Sequence, residues 1–345
     1  MKNEKMKLLV AIPDCPVRHD FLAPDTVKLL EENFEVSYNE LGRNYTKEEL
    51  LSACEGIDVV VTGWGTPGFI DSPIEKNSSL KLIAHTAGSV GDLLDGAVYD
   101  RGIRVISGNT YFAESVAEGT IAYITAMLRR IPDEVYGMKG GILWHHPSVP
   151  VTRGLLDREI GIIGYGMISK YLMQMLKVFR CKIKIFSHHE MDAEFLRSVN
   201  AESATLDEVF RCDIVSLHST LTEETLGMIG REHFDLMPEG AIFINTARGA
   251  IIRENEMIEA LNERNIYAVL DVYENEPLDI NSPLRSMDNV YLLPHRGGPT
   301  VDRRSYIGRR VIEDVVRFKR GEELTLEISR EYAARMTKMG AAKKK

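Results

Sequence analysis

Short apolar runs alternate with segments whose apolar residues recur every three or four positions, and this alternation continues along most of the chain. The runs read as strands and the periodic segments as helices. Strands are predicted over residues 7–12, 59–61, 80–84 and 103–106, with a helix over 24–32 and a helix-like segment before the last of these strands. A long amphipathic segment, 113–131, follows, with Val116, Ile121, Ile124 and Leu128 among its apolar positions, and Pro132 is expected to end it. Residues 132–158 carry, after Pro132, Gly140, Gly141, Trp144, two further prolines and Gly154, and read as an irregular arm. Beyond it, strands are predicted over 182–186, 213–217, 241–245, 266–270 and 290–293. Helices fall over 206–211, 231–237, 254–264 and 300–320.

Such β–α alternation predicts an α/β fold with largely parallel sheets. At 345 residues the chain suggests two domains. Two Rossmann-like or flavodoxin-like domains are expected. Residues 113–299 form a nucleotide-binding domain inserted into a discontinuous substrate domain of residues 1–112 and 300–345.

The first local signature is Gly161-Ile162-Ile163-Gly164-Tyr165-Gly166-Met167-Ile168-Ser169, between a short buried strand at 158–163 and a helix at 170–179. In that strand–turn–helix setting, small residues let the backbone approach a pyrophosphate, and free N–H groups at the helix start attract its charge. Gly164, Gly166, Met167 and Ile168 are therefore candidate cofactor contacts.

Composition narrows the class. With 44% hydrophobic and 27% charged residues the chain is globular, and its net charge of −9 argues against nucleic acid as the main partner. Three closing lysines, Lys343 to Lys345, read as a solvated tail. The four scattered cysteines (Cys15, Cys54, Cys181, Cys212) lack metal-ligand spacing and fit reduced thiols, so no metal and a cytoplasmic location are expected. No stretch approaches the ~20 apolar residues of a membrane span.

Three residues stand just after late strands: Arg248 in Asn245-Thr246-Ala247-Arg248-Gly249, Glu276 after Asp271-Val272-Tyr273-Glu274-Asn275, and His295 in Leu293-Pro294-His295-Arg296-Gly297-Gly298. Ligands of open α/β sheets sit beyond the carboxyl ends of strands. An arginine grips a carboxylate with two parallel bonds. A histidine beside a carboxylate exchanges protons near neutral pH. Beside a nicotinamide these groups meet the needs of reversible reduction of a 2-oxo acid to a 2-hydroxy acid. Singly, each has a plainer explanation: a surface ion pair, an exposed carboxylate, a packed histidine.

Over roughly residues 50–325 the chain resembles the D-isomer-specific 2-hydroxyacid dehydrogenase family. The motifs that carry the resemblance are Gly161–Ser169, Cys212–His218, Asn245–Gly249, Asp271–Pro277 and Pro294–Gly298, in that order. The resemblance implies that Arg248 binds the substrate carboxylate and carbonyl, that His295 is the acid/base and that Glu276 holds and polarises it. It also implies cofactor contacts at His218, Thr246, Ala247, Asp271 and Gly298, and a homodimer. The expected partner is a small 2-oxo or 2-hydroxy acid.

Departures from the family pattern shape the finer expectations. Ser169 replaces the third glycine of the turn. Ser187 stands where NAD-preferring members place an acid for the ribose, and no carboxylate follows before Glu190. Either NAD or NADP is therefore admissible, and the balance tips slightly towards NADP, with Ser187 and His188 as hydrogen-bonding groups. Thr220 replaces a proline common after the histidine matched by His218. The substrate loop reads His85-Thr86-Ala87-Gly88-Ser89-Val90-Gly91-Asp92, where N–H groups near Gly88, Ser89 and Val90 are expected to receive a carboxylate. Trp64, between two glycines, either walls the pocket or packs under the loop. Arg296 replaces an apolar residue beside His295. Two other readings share this framework. One is a phosphonate or formate oxidoreductase, of which the formate branch is disfavoured by the Glu276–His295 set. The other is a dinucleotide-sensing scaffold of the corepressor type.

Overall fold

The computed structural model describes residues 5–69, 79–141 and 151–336. Two compact units divide the chain. One comprises the residues up to Ala113 together with those from Pro299 onward; the other is Glu114–Gly298.

The first unit holds a parallel sheet of β1 (Lys7–Pro13), β2 (Glu35–Asn39), β3 (Val59–Thr62), β4 (Leu82–His85) and β5 (Arg104–Ser107), in the order β2-β1-β3-β4-β5. Its strands are apolar on both faces because both are covered. Leu8, Val10, Val59 and Val61 pack with Ile307, Val311, Ile312 and Val315 of the helix Val301–Arg320. Leu9, Ala11, Val60 and Ile83 join a second cluster with Leu50, Val98 and Ile328. The unbroken apolar runs are what a doubly covered parallel sheet requires.

The second unit holds seven parallel strands: β6 (Glu159–Ile163), β7 (Lys182–Phe186), β8 (Ala201–Ser203), β9 (Ile214–Leu217), β10 (Ile242–Asn245), β11 (Tyr267–Leu270) and β12 (Val290–Leu292). Their order is β12-β11-β10-β9-β6-β7-β8. Ile242 and Ile244 face one cluster while Phe243 faces the other, so this sheet too is buried on both sides. Asn245 pairs with Leu270, and Leu270 with Leu292, so β10, β11 and β12 end level with one another. Residues that follow these three strands therefore emerge side by side.

Two expectations about the arm are corrected. Pro132 does not end the long helix, which runs Asn109–Leu128 and stops before Arg130, whose φ of 52° is left-handed. Pro132 instead lies in the first turn of a new helix, Ile131–Lys139, where its missing N–H costs nothing. The arm is thus helical in its first third rather than irregular. Trp144, Pro147, Pro150 and the lysine tail lie outside the described residues.

Candidate active site

The glycine turn leaves β6 and enters the helix Met167–Leu176, capped by Gly166 with no side-chain partner. Gly164 has φ +101°, and a β-carbon there would lie 2.8 Å from His218 O and Ser219 N. Only glycine lets the turn lie this close to the end of β9. A β-carbon on Gly166 would meet nothing within 4 Å, so the helix start opens onto free space. Ser169 is buried, and its hydroxyl donates to Gly164 O at 2.5 Å. The residue replacing the third glycine therefore ties the helix back to the turn.

Two polar atoms at the neighbouring strand ends are buried without a hydrogen-bond partner among the described residues, His218 Nδ1 after β9 and Thr246 Oγ1 after β10. His218 Nε2 meets Ser216 Oγ at 2.8 Å, and burial pushes the imidazole down to about 4, so it is neutral near pH 7. An open helix start beside two unsatisfied polar atoms fits a dinucleotide lying across the sheet's carboxyl edge. Ser187 follows β7 half-buried, with its hydroxyl accepting from His189 N at 3.0 Å, while His188 stacks edge-on against Phe186. Asp192, the next aspartate along the chain, caps the helix Ala193–Ser198 through Glu194 N and Phe195 N.

At the end of β10, the buried Asn245 side chain shapes the arginine turn: its Oδ1 accepts from Ala247 N at 2.9 Å and its Nδ2 donates to Arg248 O at 3.2 Å. Arg248 Nη1 donates to Ala247 O at 2.6 Å. The next residue, Gly249, is pressed so tightly to the Tyr273 backbone that a β-carbon would lie 1.9 Å from Tyr273 C. The turn carrying Arg248 is thereby seated on the loop that follows β11.

That loop carries two carboxylates with different tasks. Asp271, 2% exposed, accepts Arg296 N at 2.7 Å and Gly297 N at 2.6 Å. Burial raises its pKa above the ordinary aspartate value, although both N–H bonds act the other way. Glu276 accepts Tyr273 N at 3.1 Å through Oε1 and His295 Nδ1–H at 2.6 Å through Oε2. With Nδ1 so engaged, His295 keeps Nε2 for another partner. Its side chain is 48% exposed and its φ is +52°, a left-handed conformation that costs a non-glycine residue roughly 1–2 kcal/mol. The helix Asn109–Leu128 comes close to this turn at Gly119, where a β-carbon would sit 3.3 Å from Gly297 O. Gly298 is half-buried with open space at its α-carbon.

Arg248, Glu276 and His295 thus follow three adjacent strands, β10, β11 and β12, inside one unit. Sequence reasoning missed two supports, Asn245 and Tyr273. An asparagine at the end of a strand is a turn former that could have been noticed, whereas nothing local marks Tyr273.

Trp64, Gly88, Ser89 and Val90 lie in the five-stranded unit, after β3 and β4. Trp64 is 42% exposed; its ring meets Phe21 and Phe112 edge-on, and Arg304 sits over it at 5.2 Å. Gly88 lies against Phe112 and Ser89 is exposed. The buried Val90 directs its N–H onto Met336 Sδ at 3.3 Å, so that amide is engaged within the fold and not held out for a carboxylate. Among the described residues no group of three or more His, Cys, Asp or Glu could hold a metal ion, and no helix is long and apolar enough to cross a membrane.

Residues 121–297 match the family described as D-isomer specific 2-hydroxyacid dehydrogenase, NAD binding domain. The chain belongs to the D-isomer specific 2-hydroxyacid dehydrogenase family. Its members are nicotinamide-dependent oxidoreductases. It is 35% identical over 306 residues to a D-3-phosphoglycerate dehydrogenase of Methanocaldococcus jannaschii, covering 88% of this chain but 57% of that longer relative. It is 33% identical to a glyoxylate reductase of Pyrococcus furiosus, covering 86% of this chain and 89% of the relative. An acyclic imino acid reductase solved with NADPH and D-Arg has the same fold, with a TM-score of 0.78 at 21% identity over 94% of this chain and all of the other.

Proposed function

We propose that this chain interconverts a small 2-oxo acid and its 2-hydroxy acid with a nicotinamide dinucleotide. The observation that carries the reading is the 2.6 Å bond between His295 and Glu276, beside the strand that supplies Arg248. A bound nicotinamide supplies the hydride that reaches the substrate's C2. Arg248 grips the substrate carboxylate and stabilises charge growing on the carbonyl oxygen. His295 Nε2–H gives its proton to that oxygen, leaving the 2-hydroxy acid and a neutral imidazole, which solvent reprotonates. Glu276 holds the ring through Nδ1, which leaves Nε2 to meet that oxygen.

On this reading Gly164, Gly166, Met167 and Ile168 receive the pyrophosphate. His218, Thr246, Ala247, Asp271 and Gly298 serve the nicotinamide half, and Ser187 the adenosine ribose. Asp192 is committed to a helix cap and Ser187 itself carries no charge to repel a 2′-phosphate, which supports the tilt towards NADP. In the other unit, Trp64, Gly88 and Ser89 are the substrate-side candidates. Glyoxylate and hydroxypyruvate head the candidates for substrate, from the glyoxylate reductase of Pyrococcus furiosus and the hydroxypyruvate reductase of Thermotoga maritima. The test is a panel of 2-oxo acids with NADH and NADPH, on wild type and on His295→Ala. The variant should lose on the order of 10²–10⁴ in turnover; near-wild-type turnover would remove His295 from the mechanism.

A homodimer belongs to the same proposal. The helix Ile131–Lys139 leaves Ile131, Val135, Tyr136 and Met138 exposed on one small segment, an apolar surface suited to a second copy. Light scattering that gives a monomer mass ends this part. Cytoplasmic residence is proposed from four free cysteines, of which Cys54 and Cys212 have thiols pushed up to about 12 by burial and so are inert.

A further inference from the structure

Tyr273 is buried in the loop after β11 and is tied to each part of the proposed machinery in its unit. Its backbone lies under Gly249, beside Arg248. Its N–H holds Glu276 Oε1 at 3.1 Å. Its hydroxyl lies 2.8 Å from Leu293 O and 3.1 Å from Leu270 O. A phenol has one proton to donate, and Leu270 O already accepts Leu293 N at 2.9 Å. The shorter contact, to Leu293 O, is therefore the bond that matters. Burial pushes the phenol up to about 12, so it remains a donor at working pH.

Leu293 stands two residues before His295. On the far side of the histidine, Asp271 grips the N–H groups of Arg296 and Gly297. A turn with left-handed backbone at its central residue persists only when its surroundings over-determine it. Here the restraint comes from both flanks, and both anchors belong to one loop, two residues apart. We propose that the Tyr273 hydroxyl is a positioning group, which through Leu293 O fixes the turn that aims His295 at Glu276 and at the reacting oxygen. The inference rests on the acid/base reading of His295 given above. It assigns Tyr273 no contact with substrate.

Two charged groups besides Glu276 act on this clasp, Asp271 on the same loop and Arg285 on the turn before β12. Neither is changed by Tyr273→Phe, which keeps the buried ring and deletes only the donor. That variant should lose about 5–20-fold in kcat for 2-oxo acid reduction, with KM held within about twofold, because orientation and not ground-state binding is disturbed. A second readout needs neither cofactor nor turnover. In protein labelled with ¹⁵N-histidine, ring-nitrogen shifts report the neutral tautomer of His295, assigned by its loss in His295→Ala. Wild type should carry the proton on Nδ1, facing Glu276, and Tyr273→Phe should lower that share. This measurement on folded protein still decides if the variant is less stable. A Tyr273→Phe protein with wild-type kcat and tautomer overturns the inference alone, provided that His295→Ala and Glu276→Gln are impaired. Undiminished turnover in His295→Ala overturns both it and the reading beneath it.

Discussion

The Asp271 carboxylate lies 2.6 Å from the Gly297 amide nitrogen, and a β-carbon on Gly297 would sit 2.7 Å from the same oxygen. The turn after His295 is therefore closed by an ionisable group that water scarcely reaches. Gly297→Ala must push the carboxylate off two N–H groups that have no other acceptor among the described residues. Overpacking of this kind costs about 1–3 kcal/mol. Urea unfolding should show that loss, and turnover should fall with it, because the displaced turn carries His295. Wild-type stability in Gly297→Ala would mean that the carboxylate yields freely.

The two glycines of the nucleotide turn should separate folding from binding. Gly164→Ala places a methyl against backbone atoms of His218 and Ser219 at a left-handed φ, so a loss of about 1–3 kcal/mol in stability is expected along with weak dinucleotide binding. Gly166→Ala meets open space and should unfold like wild type. Calorimetric titration should nevertheless show its nucleotide affinity reduced, since the added methyl occupies the approach to the helix start. Unchanged affinity in Gly166→Ala would move the pyrophosphate elsewhere.

Ser187→Asp puts a carboxylate where the chain has none. A charge facing a 2′-phosphate should cut kcat/KM with NADPH by at least about tenfold, equivalent to roughly 1.4 kcal/mol, while NADH efficiency holds or improves. Equal effects on the two cofactors would show that this loop does not read the ribose.

Two buried histidines predict the acid response. Burial holds His85 and His218 at about 4, below the ordinary 6.5, so the unfolded chain binds more protons between these values. Stability from each is complete above pH 6.5 and lost as pH falls towards 4. Between pH 7 and pH 5 the loss is on the order of 2 kcal/mol per histidine. His85→Gln and His218→Gln should each flatten the fall in denaturant midpoint across that interval; an unaltered pH slope would mean that neither imidazole charges on unfolding.

How much of this was legible in the sequence follows from where the determining contacts lie. The central strands were readable because residues such as Val59–Val61 and Ile242–Asn245 are apolar on both faces, whatever surrounds them. The polar edge strand Ala201–Ser203 and the strand Glu35–Asn39, whose burial alternates, carry no such run and went unnoticed. Pro132 misled because a proline both stops helices and starts them, and only the left-handed Arg130 before it distinguishes the two. Arg248, Glu276 and His295 were legible as side chains after strands. Their supports were not, because Tyr273 acts on Leu293 across 20 residues and Ser169 acts through a hydroxyl where only smallness was expected.

The strand that delivers His295 has one neighbour. Among the described residues β12 pairs with β11 alone and forms the rim of the seven-stranded sheet, whereas Arg248 emerges from a strand flanked on both sides. Rim strands open at lower free energy than the interior. Heating should accordingly silence the enzyme by detaching the turn of His295, the proposed proton donor, while the sheet beneath stays folded, and amide exchange in Val290–Leu292 should rise before that of Ile242–Asn245.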